Sequence, residues 1–212
     1  MPGADEPLPP EEFRPLLAEA LPRFGLQGSP DRIERLARFL AELDRWRRTT
    51  NLTGRLSAPD LVAHALESVV GERFLPPSAA VVDIGTGGGF PGVPLALWRP
   101  DVAVTWLEPR RKRVEFLSHV QGVLPAGNAS VVRGRAGALA EGAFDFATAR
   151  AVPQTGRVFG EAAFLKPGGA ILLWTTGPEP VPRELSRAGF RLRETLPVPG
   201  SLHRVIALFG RP

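Results

Sequence analysis

A chain of 212 residues is long enough for one α/β domain with a helical extension and too short for two large domains. With no cysteine and three scattered histidines (His64, His119, His203) no metal centre is expected, and no apolar run approaches the roughly 20 residues of a membrane-spanning helix, so a membrane partner is not expected either. Lysine and arginine outnumber aspartate and glutamate 26 to 22, and only Lys112 and Lys166 are lysines; guanidinium groups fork onto phosphates and stack on bases, so an RNA partner is compatible with this surface, although a net charge of +4 does not demand one.

Residues 1–9 are acidic and proline-rich, without the basic start and apolar stretch of a secretory signal, and read as the disordered tail of a soluble cytoplasmic protein. Glu11 to Leu21 and Asp31 to Trp46 read as helices. The second carries Ile33, Leu36, Leu40 and Leu43 at spacings of three and four, behind the start signal Ser29-Pro30-Asp31. Ser57, with Asp60 three residues on, caps a third helix bearing Leu61, Val62, Ala65, Leu66 and Val69. Residues 10–72 are therefore expected to be a helical extension. From Ala79 short β-rich runs alternate with helices, at 80–83, 102–107, 129–132, 144–149 and 170–174. That alternation predicts a parallel sheet covered by helices on both faces, within a domain spanning 73–212. Two last runs, 190–196 and 204–209, are joined by Pro197 to Ser201 with no room for a crossover helix, and are expected to be antiparallel neighbours.

The strongest chemical signal is Val81-Val82-Asp83-Ile84-Gly85-Thr86-Gly87-Gly88-Gly89-Phe90-Pro91-Gly92, an apolar strand running into a glycine-rich turn. Glycines there allow positive φ and let a ligand touch the main chain. Gly87-x-Gly89-x-x-Gly92 also satisfies the dinucleotide fingerprint, which keeps a nicotinamide or flavin enzyme open. Two features favour S-adenosylmethionine. Asp83 ends the strand where a carboxylate can face a cationic methionine portion, and Pro91 lacks the N–H that a diphosphate-binding helix would offer. Glu108 ends the next strand, where an acid can accept hydrogen bonds from both ribose hydroxyls, or merely cap the following helix. Arg110, Arg111, Lys112 and Arg113 crowd that helix start, an unfavourable arrangement that an anion outside would relieve. Leu165-Lys166-Pro167-Gly168-Gly169 places a tight turn directly before a buried strand.

A parallel sheet closed by one antiparallel C-terminal strand, with these motifs in this order, resembles the Rossmann-like class I methyltransferases. More closely, the chain resembles the GidB/RsmG family of bacterial guanine-N7 methyltransferases acting on small-subunit (16S) ribosomal RNA, from about Trp46 to Leu208. The residues that carry the likeness are Asn51-Leu52-Thr53, His64-Ala65-Leu66-Glu67-Ser68, the block from Asp83 to Leu95 with Phe90-Pro91-Gly92-Val93-Pro94, Lys112-Arg113-Val114-Glu115-Phe116-Leu117 and Ala149-Arg150-Ala151-Val152. The resemblance implies S-adenosylmethionine as cofactor and S-adenosylhomocysteine as product. It puts Gly85 and Phe90 at the cofactor, Ala136 and Gly137 beside its adenine, and Arg150 in the active site, where it also borders the cofactor; with Asp83, Glu108 and the turn residues Thr86, Gly87 and Gly89 these make the expected cofactor site. Arg135 and Arg150 would hold guanine O6, a phosphate or the cofactor carboxylate; His64, Asn51 and Trp46 are candidates for lining the acceptor pocket, with a packing role open for His64 and Trp46. Asn51, Arg111, Lys112, Arg113 and Arg204 would meet the RNA or the small ribosomal subunit, and a monomer is expected.

Three departures from the family pattern stand out: Gly137 where an acid is common after the third strand, Thr175-Thr176-Gly177 where lysine and glycine are usual, and Leu202-His203-Arg204 in place of a basic pair. Guanine N7 carries a free lone pair, so its methylation needs no general base. Other methyl acceptors, a non-catalytic cofactor-binding role in ribosome assembly and a nicotinamide-dependent oxidoreductase remain open on sequence alone.

Overall fold

The computed structural model describes residues 6–54, 56–150, 158–159, 162–176 and 183–211. Three helices open the chain: α1 (Pro10–Ala20), α2 (Pro30–Arg47) and α3 (Ala58–Val70). Their starts follow the local chemistry. The Ser29 hydroxyl accepts the Arg32 N–H at 3.3 Å, and Ser57 with Asp60 forms a reciprocal capping box.

Residues 1–5 of the expected disordered tail lie outside the described residues, but the expectation is corrected for Glu6 to Leu8. The Leu8 N–H donates to Asp44 of α2 at 2.9 Å, and Arg48 donates to the Glu6 carbonyl at 2.6 Å. A buried carboxylate and a guanidinium satisfy backbone groups there that a free tail would give to water.

Seven strands form one sheet: β1 (Ala80–Ile84), β2 (Ala103–Glu108), β3 (Ala129–Arg133), β4 (Phe144–Arg150), β5 (Leu165–Thr176), β6 (Arg191–Pro197) and β7 (Arg204–Gly210), in the order β3-β2-β1-β4-β5-β7-β6. The first five are parallel, and β7 runs antiparallel between β5 and β6. α4 (Gly92–Trp98) joins β1 to β2, and α5 (Arg111–Val123) joins β2 to β3. β5 begins at Leu165 rather than Ala170. Leu165 already pairs with Phe144, the Pro167–Gly169 turn with Gly168 at φ 77° interrupts the ladder, and pairing resumes at Phe146 and Ala170.

Alternate residues of the central strands feed opposite cores. Val81 and Trp106 pack with Phe39 and Leu40 of α2, Leu66 of α3, Leu97 of α4 and Phe116 of α5. Val82 and Leu107 pack on the other face with Phe159, Leu185 and Phe190. The N-terminal helices thus share one core with a face of the sheet. Strand order reverses between β1 and β4, so their carboxyl ends open a crevice of the kind in which α/β sheets hold ligands.

Candidate active site

The turn after β1 is built on three glycines in the left-handed region, Gly85 (φ 72°), Gly87 (φ 59°) and Gly89 (φ 102°), a conformation costly for side-chain-bearing residues. Main-chain bonds from Gly85 N to Leu107 O (2.7 Å) and from Gly89 N to Thr86 O (2.8 Å) hold it in shape. Asp83 lies beneath this turn. It is fully buried, accepts the Thr148 hydroxyl at 2.8 Å and the Gly92 N–H at 3.0 Å, and burial pushes its pKa up to about 6. Expected to face the methionine portion of a cofactor, this carboxylate instead braces the turn from below and is not part of the cavity lining.

Gly92 lets α4 come this close, since a Cβ there would sit 2.6 Å from the Asp83 Oδ2. The same arrangement consumes the first amides of α4. Gly92 N serves Asp83, and Val93 N donates to the Gly89 carbonyl at 2.7 Å. With Pro91 ahead of them, this helix start offers no nest for a diphosphate, which weighs against a dinucleotide.

A cavity of about 390 Å³ opens at this end of the sheet. Its floor is the main chain of Gly85 to Gly88 with Phe90, one wall is Glu108 to Arg110 with Arg113, and Arg150 and the Leu52-Thr53 loop complete it. Glu108 is almost wholly buried; its carboxylate accepts Gly87 N at 3.0 Å and Arg110 N at 2.9 Å, and Arg113 lies 3.9 Å away. An ionised carboxylate has about four acceptor sites, so two amides leave room for two hydroxyls. Helix crowding at the start of α5 is answered inside the chain: Arg113 faces Glu108 and the Asn51 carbonyl, and Arg111 pairs with Glu115 at 2.8 Å. Exposed Lys112 has no ion-pair partner among the described residues.

Arg150, at the end of β4, is anchored from the helical extension. Its Nη2 donates to Glu67 of α3 at 2.9 Å and its Nη1 to the His64 carbonyl at 3.4 Å. Arg204 reaches the same buried carboxylate at 2.6 Å. The His64 ring stands edge-on to Phe90, centroids 5.8 Å apart, and burial together with Arg150 and Arg204 lowers its pKa to about 4, leaving it neutral at physiological pH. It can therefore donate no proton as an imidazolium there.

A family profile described as rRNA small subunit methyltransferase G matches residues 32–177. This chain belongs to that family. A protein named ribosomal RNA small subunit methyltransferase G from Halorhodospira halophila is 37% identical over 181 residues, 84% of this chain and 83% of that one. The protein of the same name from Xanthomonas axonopodis pv. citri is 40% identical over 140 residues, but there the alignment spans 65% of this chain and 66% of the relative. Among solved structures the fold is similar to a SAM-dependent methyltransferase from Aquifex aeolicus, with a TM-score of 0.60 at 18% identity over 73% of this chain and 94% of that one. It is similar too to a ribosomal protein L11 methylase from Lactobacillus delbrueckii subsp. bulgaricus, with a TM-score of 0.57 at 14% identity over 70% and 78%.

Of the residues expected at the site of this methyltransferase G family member, the structure brings Gly85, Thr86, Gly87, Phe90, Glu108, Arg113 and Arg150 onto one cavity. Gly89 faces inward, its Cβ direction blocked by Phe39 and Val93. Asn51 borders the cavity through its carbonyl, while Arg111 and Lys112 stand exposed on the first turn of α5. Arg135, Ala136 and Gly137 lie in the turn after β3, off the cavity wall, with open space beside Gly137. Trp46 is half-buried and packs between Phe116 and His119 against the core, the packing alternative open for it on sequence. In the Thr175-Thr176-Gly177 departure, Gly177 lies outside the described residues. Sequence reasoning assigned no role to Gly88, whose missing side chain admits the Leu52-Thr53 loop, or to Glu67. The His64-to-Ser68 run contained Glu67, and an acid amid apolar helix positions was the one available signal.

Proposed function

We propose that this chain transfers the methyl group of S-adenosylmethionine to N7 of a guanine in small-subunit (16S) ribosomal RNA. The observation that carries the reading is the crevice at the β1 and β4 ends, where a glycine main chain, Glu108 and Arg150 meet in a member of the methyltransferase G family. Its residues fit the donor. The volume falls in the range of small-molecule sites, the main chain of Gly85 to Gly88 is open to contact, Glu108 keeps lone pairs for a ribose, and α4 offers no diphosphate nest.

When bound, the donor supplies an electrophilic methyl group on a positively charged sulfur. The chain's own task is to hold both reactants in line and keep water out. Gly85 to Gly88 and Phe90 seat one reactant, and the Leu52-Thr53 loop closes the other side. No residue needs to take a proton, in keeping with a His64 whose lowered pKa of about 4 makes it a weak base. The methylated base is cationic, so the Glu67 carboxylate on Arg150 lowers the positive potential the product meets. N7 lies in the narrow major groove of A-form RNA, so the target guanine must come from a loop or be drawn out of its stack. Arg110 on the cavity wall, with exposed Arg111 and Lys112 on the first turn of α5, would meet phosphates, and RNA binding is expected to weaken as salt rises.

In this reading residues 73–212 carry the chemistry and residues 10–72 shape the acceptor side of a monomer. Among the described residues no helix is long and apolar enough to cross a membrane. Purified protein, labelled donor and small subunits or naked ribosomal RNA lacking the modification test the function. The expected result is one new 7-methylguanosine, located by chemical cleavage. Donor binding with no cleavage site on either substrate would instead support a non-catalytic role or another acceptor.

A further inference from the structure

Glu67 is the meeting point of three elements that no sequence neighbourhood links. Its side chain is 2% exposed on α3, Oε2 accepts Arg150 Nη2 from the end of β4 at 2.9 Å, and Oε1 accepts Arg204 Nη1 from the start of β7 at 2.6 Å. β5 passes between those strands, with Trp174 opposite Arg150 and Thr176 opposite Arg204. The Trp174 indole donates to the Glu67 carbonyl at 2.8 Å, so backbone as well as side chain of Glu67 is pinned to the interior strands of the sheet.

The two arginines face different ways. Arg150 lines the cavity and its side chain is 16% exposed, whereas Arg204 leans outward at 40% exposure, with Ser201 Oγ accepting its Nε at 3.3 Å. One carboxylate thus serves two guanidiniums, and the half-exposed Arg204 keeps an outer edge available to a phosphate. A phosphate on Arg204 competes for the same guanidinium that Glu67 holds, and Glu67 then concentrates on Arg150.

We propose that Glu67 is a positioning residue that sets Arg150 at the donor cavity and Arg204 at the RNA surface through one shared carboxylate, so that binding of RNA and of donor are coupled. The inference rests on the function proposed above. Coupling of this kind is reciprocal: whatever factor donor exerts on RNA affinity, RNA exerts on donor affinity.

The test measures the affinity of an unmodified 16S ribosomal RNA transcript with and without saturating S-adenosylhomocysteine, for wild type, Glu67→Gln and Arg204→Gln, with turnover at saturating donor alongside. Wild type is expected to show coupling of roughly fivefold or more, and both variants a ratio within about twofold of unity. S-adenosylhomocysteine affinity, by calorimetry, should stay within about threefold in Glu67→Gln while turnover falls at least roughly tenfold, a split that loss of folding would not give. Should Glu67→Gln fail to fold, Arg204→Gln answers alone, since it leaves the inner pair intact. Wild-type coupling retained in a folded variant, or absent from wild type, overturns the proposal. Failure of the wild type to bind S-adenosylhomocysteine, or to bind transcript and small subunits alike, overturns the proposed function instead.

Discussion

The Asp83 carboxylate and the Gly92 N–H meet at 3.0 Å beneath the glycine turn, tying the end of β1 to the first residue of α4. That bond turns a residue expected at the ligand into one that shapes the ligand's floor, and it occupies the amide a diphosphate would need.

Burial raises the Asp83 pKa from 3.8 to about 6, so the group favours folding most when protonated. Its contribution is complete below pH 3.8 and is lost as pH rises through about 6, a loss on the order of 3 kcal/mol. Asp83→Asn keeps an acceptor for Gly92 and cannot ionise. Thermal melts of the two proteins between pH 4 and pH 7.5 are expected to show the variant gaining on wild type as pH rises. Asp83→Ala leaves the buried Gly92 N–H without a partner, costs roughly 1–3 kcal/mol and weakens donor binding by loosening the turn. A pH-independent difference between Asn variant and wild type would contradict the assignment.

The Leu52-Thr53 loop is seated on Gly88, where a Cβ would lie 3.0 Å from the Leu52 carbonyl and 3.1 Å from Thr53 Cγ2. Gly88→Val therefore has to push the loop away from the cavity. Overpacking of this kind costs roughly 1–3 kcal/mol, and because the displaced groups line the cavity, calorimetry should find the donor bound at least roughly tenfold more weakly. Unchanged affinity would mean the loop plays no part in holding donor.

Space beside Gly137 is open, with no atom within 4 Å of a Cβ built there. If adenine lies next to this turn, Gly137→Asp supplies an acceptor for its amino group. A hydrogen bond of about 1 kcal/mol tightens donor binding several-fold, with little change in thermal stability. Equal affinity in the variant would place the adenine elsewhere.

Asp44 ties the N-terminal segment to α2, accepting the Leu8 N–H at 2.9 Å and ion pairs from Arg47 at 2.6 Å and Arg48 at 3.2 Å. Burial would raise its pKa, but these donors together hold it below the ordinary carboxylate value. Its contribution is thus present above pH 3.8 and lost on acidification through the depressed folded-state value. Asp44→Ala should cost on the order of 3 kcal/mol at pH 7 in chemical denaturation, and wild type should approach the variant in strong acid.

The sequence by itself determined the architecture. Alternating β-rich and amphipathic runs between Ala80 and Trp174 leave little choice but a parallel sheet, and the short Pro197-to-Ser201 link forces an antiparallel pair. The glycine turn, Glu108 and Arg150 were legible as well, because their chemistry is tied to local positions: strand ends and a bend that needs positive φ. Tertiary structure alone decided which way each group faces. Asp83 reads as a ligand contact until α4 folds back over it through Gly92, and Trp46, open on sequence to pocket or packing, goes to packing where Phe116 and His119 meet it. Glu67 gains meaning only when residues 83 and 137 positions further along the chain bring it two guanidiniums. Such pairings depend on long-range register, which local periodicity and motif spacing do not encode.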